Sequence, residues 1–368
     1  MDGSVLALNA GSSSLKCALY AGSGPQPREL ARAQIDTQGV GSGPSGYAGI
    51  LAWAESVAPG RLSAVGHRVV HGGPVYGDPV AIGAGVVEAL EALSPLAPLH
   101  QPQSLAAIRA LGGLRPGLAQ VACFDTAFHR TQPPVAVRLG LPRALHDKGV
   151  RRYGFHGLSY EHIACRLAAL DPALAAGRVI AAHLGSGASL CAMRDGVSID
   201  TTMGFSPLDG LVMSTRCGAL DPAVPLYLMM HEGLGAQQVQ DLLYHGSGLL
   251  GVSGISGDMK TLLARSEPAA LQAVELFVYR AAREASALAG SLGGLDGVVF
   301  TGGVGEHSPE IRAALAARLA WLGLELDPDA NQGAGERRIS APASRLAAWV
   351  IPADEELVIA RQTIAVAG

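Results

Sequence analysis

The sequence is poor in cysteine and in charged residues, and it has no long apolar run. Its five cysteines stand singly with no C-x-x-C pair, which is typical of reduced thiols in a cytoplasmic setting. Charged residues make up 16%, and the net charge of −4 argues against a nucleic-acid partner. No apolar run approaches the ~20 residues that a membrane span needs, and "MDGSVLALNAG" lacks the basic region of a signal peptide. We therefore expect a cytoplasmic protein that binds neither nucleic acid nor membrane.

What is abundant is apolar sequence, arranged in short segments that run into polar loops. Hydrophobic residues make up 49% of 368 residues, enough for two domains. The segments 61–73 and 117–129 each predict a strand followed by a loop, and 268–292 has the apolar spacing of a helix. Residues 21–48, rich in glycine, serine and proline, predict a loose surface connection.

We place the domain boundary near residue 150. The predicted domains are 1–150 together with about 350–368, and 151–349.

Two distant stretches resemble each other. Residues 7–22 and 181–196 both predict a strand, a glycine-serine turn and a second strand. At an offset of 174, Gly11 matches Gly185 and Cys17 matches Cys191. Chance similarity between small-residue stretches and an internal duplication both remain open.

Three glycine-rich loops are suited to binding phosphate. They are "NAGSSSLK" (9–16), "HLGSG" (183–187) and "FTGGVGEHS" (300–308), each behind a predicted strand. Glycine lets backbone N–H groups converge on an anion, while hydroxyls and a lysine add donors and charge. None fits the P-loop or dinucleotide-binding spacing, and each alone could be an ordinary turn. Together they predict a nucleotide held in a cleft between two domains.

A second group of polar residues lies in loops next to predicted strands and helices. A histidine in such a loop is commonly structural, and an isolated arginine is commonly a surface charge. With no H-E-x-x-H pattern, a protein-built zinc site is not expected. The candidates are Arg68, His71, His100, Asp125, His156 and Arg216.

In this order, the motifs resemble those of the acetate kinase family, which includes acetate, propionate and butyrate kinases. They include "NAGSSSLK", "GHRVVHGG", "FDTAFH", "YGFHGLSY", "HLGSGAS", "STRCGALDP", "FTGGVGEHSPEIR" and "IPADEELVIA", and they cover nearly the whole chain. The resemblance implies an α/β fold of duplicated actin-like, ribonuclease H-like ATPase domains flanking a nucleotide cleft. It also implies a homodimer and reversible, in-line phosphoryl transfer from ATP to acetate or propionate with Mg²⁺ or Mn²⁺.

The resemblance also implies roles for individual residues. Asp125, His156 and Arg216 would be catalytic, and Asn9 and Glu355 would hold the metal ion. Arg68 would bind the substrate carboxylate, with Val70, Leu99, Phe155 and Pro207 as the apolar pocket for its alkyl end. His100 is a second candidate near the phosphoryl group. The nucleotide would contact Lys16, His183, Leu184, Gly185, Ser186, Gly187, Asp258, Met259, Lys260, Gly303, Val304, Gly305, Glu306 and His307.

Departures from the usual family motifs leave the phosphoryl donor and the acid open. Gln101, Ser186 and His307 stand where asparagine is usual, Ala219 replaces aspartate, and Lys260 replaces arginine.

Two other functions stay in view. A non-catalytic nucleotide-binding regulator would have no reason to keep both Arg68 and Arg216. A sugar kinase would need a carboxylate base at a hydroxyl group, where the predicted substrate loop offers arginine and valine.

Overall fold

The computed structural model describes residues 3–10, 14–22, 24, 26–36, 44–58, 60–98 and 100–368. The chain forms two compact units. The first consists of Met1–Arg130, His156–His162 and Asp354–Gly368, and the second of Thr131–Phe155 and Ile163–Ala353. Among the described residues, no helix is both long and apolar enough to cross a membrane.

The first unit contains a six-stranded mixed sheet with the order β3-β2-β1-β4-β6-β5. β1 pairs antiparallel with β2 and parallel with β4, and β4 pairs parallel with β6. The central strands are nearly continuous apolar runs because both faces of the sheet are covered. The strands are β1 (Ser4–Ala10), β2 (Ser14–Ala21), β3 (Arg28–Asp36), β4 (Leu62–Val69), β5 (Val80–Ala81) and β6 (Ala119–Phe124).

Helices cover both faces of this sheet. On one face, Tyr47 and Ile50 of the first helix and Leu111 of the third pack against Leu8 and Cys17. On the other face, the C-terminal helix packs against β1 and β6 with three consecutive buried residues, 358–360. The helices of this unit are α1 (Pro44–Val57), α2 (Ala84–Glu91), α3 (Gln101–Leu114) and α16 (Glu355–Ala367).

The second unit repeats this topology. Its sheet order is β9-β8-β7-β10-β12-β11, and every neighbouring pair has the same orientation as its counterpart in the first sheet. The predicted α/β fold of duplicated domains is therefore confirmed. The strands are β7 (Arg178–Leu184), β8 (Ala188–Arg194), β9 (Val197–Thr201), β10 (Gly297–Thr301), β11 (Arg337–Arg338) and β12 (Ala347–Val350).

The 174-residue offset holds for the first strand of each copy. It does not hold for the register in which the second strand pairs with the first. β1 at 4–10 corresponds to β7 at 178–184. Cys17, however, pairs with Leu8, whereas Cys191 pairs with Ala181, which corresponds to position 7. The second copy has therefore slipped by one residue at its turn, so the sequence match of the two cysteines is not a structural equivalence.

One long helix dominates the second unit. α12 buries Phe277, Val278 and Leu288, and its bounds agree with the helix predicted at 268–292. Proline occupies the first helical position, and Gly293, with φ 69°, caps the end. The helices that remain are α4 (Pro134–Val137), α5 (Arg143–Asp147), α6 (Gly157–Leu170), which begins in the first unit, α7 (Pro172–Ala175), α8 (Ala223–Met230), α9 (Ala236–His245), α10 (Gly248–Ser253), α11 (Met259–Leu263), α12 (Pro268–Leu292), α13 (Gly302–His307), α14 (Pro309–Leu319) and α15 (Pro328–Gln332).

Two local predictions are wrong. Residues 21–48 are not a loose connection, because they contain β3 and the beginning of α1. Leu30, Ala33 and Ile35 of β3 pack on the core, while polar residues between them give this edge strand a low overall hydrophobicity. The predicted glycine loop at 302–307 is the helix α13, because the chain turns directly from β10 into a helix at Gly302.

Candidate active site

Arg68 and Asp125 form a buried ion pair in the first unit. Arg68 lies near the end of β4 and Asp125 directly follows β6, and these strands are parallel neighbours, so both residues reach the same edge of the sheet. Arg68 donates from Nε (2.9 Å) and Nη2 (2.5 Å) to Oδ2 of Asp125, and from Nη1 to the Ala10 carbonyl at 3.2 Å. The Asp125 side chain is fully buried and that of Arg68 is 14% exposed. This arrangement fixes the direction of the arginine while leaving it partly accessible.

The carboxylate of Asp125 is fully buried, which is uncommon for a charged group. Burial raises the pKa of Asp125 to about 6, against the lowering effect of Arg68, and the nearby charge of Glu355 raises it further. Its Oδ1 is buried and has no hydrogen-bond partner among the described residues. The position would therefore gain from a nearby cation.

Asn9, at the end of β1, connects the two glutamates that begin α16. Its Nδ2 donates to Oε2 of Glu355 at 2.7 Å and to Oε1 of Glu356 at 2.8 Å. Lys16 pairs with Asn9 across β1 and β2, so both side chains lie on one face of the hairpin. Lys16 itself is exposed. Gly11, Ser12 and Ser13 of the predicted phosphate loop lie outside the described residues.

These oxygen donors fit a magnesium ion. Searched over the described positions, the chain has no group of three or more His, Cys, Asp or Glu side chains placed to hold a metal. Mg²⁺ does not require one, since it is usually bound by one or two carboxylates together with water and substrate phosphates. Glu355, Asn9 and Asp125 carry side-chain oxygen atoms of the kind that Mg²⁺ binds.

His156 lies beside Asp125 through the backbone. The N–H of Gly157 donates to the Asp125 carbonyl at 2.8 Å, and a Cβ at Gly157 would lie 2.2 Å from that carbonyl oxygen. His156 itself has φ 59°, a left-handed conformation that is uncommon for a non-glycine residue and is often found at functional sites. Asn9, Arg68, Asp125, His156 and Glu355, all predicted site residues, thus belong to this unit.

The second unit has a hollow that collects several of the predicted nucleotide contacts. Its volume is about 270 Å³. Nine residues line it, and five of them are among the predicted nucleotide contacts. These five are Gly185, Ser186, Asp258, Met259 and Val304, and the other four are Ser214, Leu249, Gly257 and Phe277.

Backbone contacts bring these segments together. The N–H of Ser214 donates to the Ser186 carbonyl at 3.1 Å, which joins the β7–β8 turn to the 214–217 loop. Gly302 has φ 76°, and a Cβ there would lie 2.8 Å from the Leu184 carbonyl oxygen, so only glycine allows α13 to approach β7 this closely. Asp258 accepts from the Thr261 N–H at 2.8 Å and so caps α11. Hydrogen bonds from the hydroxyl group and the N–H of Thr261 lower the pKa of Asp258.

Other predicted nucleotide contacts are placed differently. His183 and Leu184 are on β7, and Leu184 is fully buried, so only its backbone could meet a ligand. Oε1 of Glu306 accepts from the N–H groups of Gly302 (2.9 Å) and Ala353 (3.0 Å), and therefore holds the protein's own backbone. The side chains of Lys260 and His307 are exposed. For these residues and for Gly187, Gly303 and Gly305, nucleotide binding stays a prediction.

Arg216 also lies in the second unit. Its Nη1 donates to the Pro207 carbonyl at 2.6 Å, and its own carbonyl accepts from the Met213 N–H at 3.1 Å. The residues of the predicted alkyl pocket are divided between the units. Val70 is in the first, Phe155 and Pro207 are in the second, and Leu99 lies outside the described residues. The pocket stays a prediction.

Two functional candidates were missed because the sequence gives each of them an ordinary structural interpretation. Glu356 directly follows Glu355 in "ADEELV". Three adjacent carboxylates are normally interpreted as a solvated helix end, but the side chain of Glu356 is only 4% exposed. Phe277 falls within the apolar spacing that predicts the helix at 268–292; it is buried and also lines the hollow.

Comparison with known proteins shows similarity along the whole chain. The family model for the acetokinase family matches residues 54–361. The acetate kinase of Rhodopseudomonas palustris is 53% identical over 392 aligned positions, and that of Rhizobium meliloti is 49% identical over 385, each covering 98% of both chains. The crystal structure of Porphyromonas gingivalis acetate kinase is 34% identical with a TM-score of 0.85, covering 99% of both chains. A propionate kinase from Francisella tularensis is 34% identical with a TM-score of 0.88, covering 100% of both.

Proposed function

The chain belongs to the acetokinase family, and on that premise we propose that it transfers the γ-phosphoryl group of ATP to acetate, forming acetyl phosphate and ADP. Propionate is the expected second substrate, and the reaction runs in both directions. One observation carries the assignment of the acceptor. Arg68, a mostly buried cation held by Asp125, offers a fixed site for a small anion beside the donors Asn9 and Glu355.

The chemistry requires little proton transfer. Acetate is already ionised at neutral pH because a carboxylic acid has a pKa near ~4, so no general base is needed. The enzyme must instead bring two anions together and stabilise the phosphoryl group in line with the attacking oxygen. Arg68 binds the carboxylate, and Arg216 and His156 stabilise the charge on the transferring group. Asp125 acts as the partner that orients Arg68.

Asn9 and Glu355 are the proposed ligands of Mg²⁺, which when bound neutralises charge on the nucleotide phosphates. In the second unit, the hollow lined by Gly185, Ser186 and Asp258 is the proposed nucleotide contact. The predicted domains, 1–150 with about 350–368 and 151–349, remain part of this proposal, as does the cytoplasmic location.

We also propose that the enzyme is a homodimer. All eight residues of α8 are apolar, "AVPLYLMM", and none of them is buried. Leu226, Tyr227 and Met230 are 56%, 53% and 76% exposed. An exposed apolar helix of this kind is typical of a protein–protein contact, and a second copy of the chain is the partner that we expect.

A hydroxamate assay with C1–C4 carboxylates and ATP, GTP or pyrophosphate tests the function. We expect acyl hydroxamate from acetate and propionate with ATP and Mg²⁺. The Arg68→Leu variant should raise the KM for acetate far more than the KM for ATP. Absence of product with every acid and donor would overturn the proposal, and equal effects on the two KM values would show that Arg68 is not the carboxylate site.

A further inference from the structure

The acidic turn that begins α16 is held by an arginine from the edge of the first sheet. Arg32 lies on β3 opposite Ala18 of β2, on the face that α16 covers. The small side chain of Ala18 leaves room for the long arginine to reach across the sheet. Arg32 thereby arrives at Asp354 and Glu356, the two residues on either side of Glu355.

The guanidinium contacts both flanking carboxylates at hydrogen-bonding distance. Nη1 donates to Oε2 of Glu356 at 2.7 Å, and Nη2 donates to Oδ1 of Asp354 at 2.8 Å. Asp354 is also the N-cap of α16, where the same oxygen accepts from the Leu357 N–H at 3.2 Å. Arg32 therefore fixes the first turn of the helix from both sides of Glu355.

This is more than a surface ion pair. Exposed pairs usually contribute little to stability because water screens them, and Arg32 itself is 39% exposed. Glu356, in contrast, is only 4% exposed, and burying its charge without a partner would be strongly unfavourable. Among the described residues, Arg32 is the cation that contacts it. Without Arg32, the ionised side chain of Glu356 would be unfavourable in its buried conformation.

Glu356 in turn orients Asn9. One of its oxygens accepts from Arg32 and the other accepts from the Asn9 amide nitrogen, which also donates to Glu355. Because the nitrogen of this amide donates to both glutamates, the amide oxygen points away from them and can serve as a metal ligand. The hydrogen bonds run from Arg32 through Glu356 to Asn9 and Glu355.

We propose that Arg32 is a positioning residue of the metal site: it neutralises Asp354 and Glu356 and, through Glu356, holds Asn9 and Glu355 in the orientation that binds Mg²⁺. The inference rests on the proposed function, in which those two residues hold the ion. Residues that orient metal ligands typically change metal affinity by 10–100-fold when they are lost.

The test compares Arg32→Gln with Arg32→Lys and with the matched control Arg28→Gln. Arg28 is an exposed arginine on the same strand, with no ion pair within the part of the chain that the structure describes. Two quantities are measured: the Mn²⁺ affinity of the enzyme–ADP complex, from the electron paramagnetic resonance signal of free Mn²⁺, and the KM values for Mg²⁺ and acetate. The melting temperature is recorded for each variant.

We expect Arg32→Gln to weaken Mn²⁺ binding and raise the KM for Mg²⁺ by about tenfold or more, with the KM for acetate within about twofold. Arg32→Lys should fall between this variant and the wild type, because an ammonium cannot contact two carboxylates as a fork does. Arg32→Lys also tests the proposal if Arg32→Gln does not fold. Arg28→Gln should match the wild type. The melting temperature of Arg32→Gln should fall only moderately, because Glu356 can turn toward water once its cation is lost, while the buried residues of α16 hold the helix on the sheet.

Two results would overturn the inference. One is Mn²⁺ affinity in Arg32→Gln within twofold of the wild type or of Arg28→Gln. The other is an equal loss for Mn²⁺ and acetate together with a large fall in melting temperature, which would mean a purely structural role. Failure of the proposed function would be recognised separately, since the wild type would then form no acyl hydroxamate, while the Mn²⁺ measurement would still report on Arg32.

Discussion

The two members of the Arg68–Asp125 pair should respond in opposite directions when each is neutralised. Asp125→Asn keeps the size of the side chain and leaves an oxygen to accept from Arg68, and its amide nitrogen can take the place of Oδ1, which has no partner in the described chain. Arg68→Gln leaves a fully buried carboxylate without its cation. We expect the first variant to be at least as stable as the wild type at neutral pH and the second to be clearly less stable. Both should lose turnover.

The size of each effect follows from burial. A pKa raised from 3.8 to about 6 means that ionised Asp125 is unfavourable in the folded protein, even with Arg68 beside it. The difference corresponds to about 3 kcal/mol as an order of magnitude, and Asp125→Asn removes this cost. Breaking a buried pair by removing one partner costs about 3–5 kcal/mol. The lower value is expected for Arg68→Gln because water reaches part of the arginine.

The sign of the pH dependence is determined by the direction of the pKa shift. Below pH 4 the carboxyl group of Asp125 is protonated in both the folded and the unfolded protein, so the wild type and Asp125→Asn should be equally stable. Between pH 4 and 6 only the unfolded state ionises, so the free energy of unfolding of the wild type falls as pH rises. The advantage of Asp125→Asn should therefore grow over this window and stay constant above it.

Urea unfolding followed by circular dichroism at pH 4, 5 and 7 measures these differences. Asp78→Asn, at an exposed position in the same unit, is the control and should change the free energy of unfolding by less than about 0.5 kcal/mol. The reasoning is refuted if Asp125→Asn and Arg68→Gln destabilise equally at pH 7, or if the difference between Asp125→Asn and the wild type does not change with pH. Equal destabilisation would mean that the pair is a net stabilising salt bridge. A difference that does not change with pH would mean that Asp125 has the same pKa in the folded and the unfolded protein.

Three further predictions concern activity and assembly. Arg216→Ala should lower kcat by about 10³-fold or more while the Kd for ATP, measured by calorimetry, changes little; near-normal kcat would remove Arg216 from the mechanism. Val70→Ala should shift kcat/KM toward longer acids in the hydroxamate assay, and an unchanged ratio would mean that another residue sets the pocket depth. Met230→Glu should convert a dimer to a monomer in light scattering, and a dimer that persists would place the contact elsewhere.

The sequence alone identified the family and most of the strand ends that carry the candidate site. Strand ends such as those at Ala10 and Phe124 are predictable because short apolar runs stop at polar loops. Helix α12 could be delimited because its apolar spacing, a proline at its beginning and glycine after its end all agree. The strand β3 could not be predicted in this way, since an edge strand buries only part of one face and five of its nine residues are polar.

Which side chains meet was decided by tertiary structure. The pairing of Arg68 with Asp125, 57 residues apart, depends on β4 and β6 being parallel neighbours, and no local pattern specifies that neighbour. The contact of Arg32 with Glu356 spans 324 residues and requires a strand that composition did not indicate. The periodicity of apolar residues indicates which side chains of one segment face the core and which face water. Charges, by contrast, are stabilised by whatever the fold places opposite them, and that is determined only when the sheet and α16 are assembled.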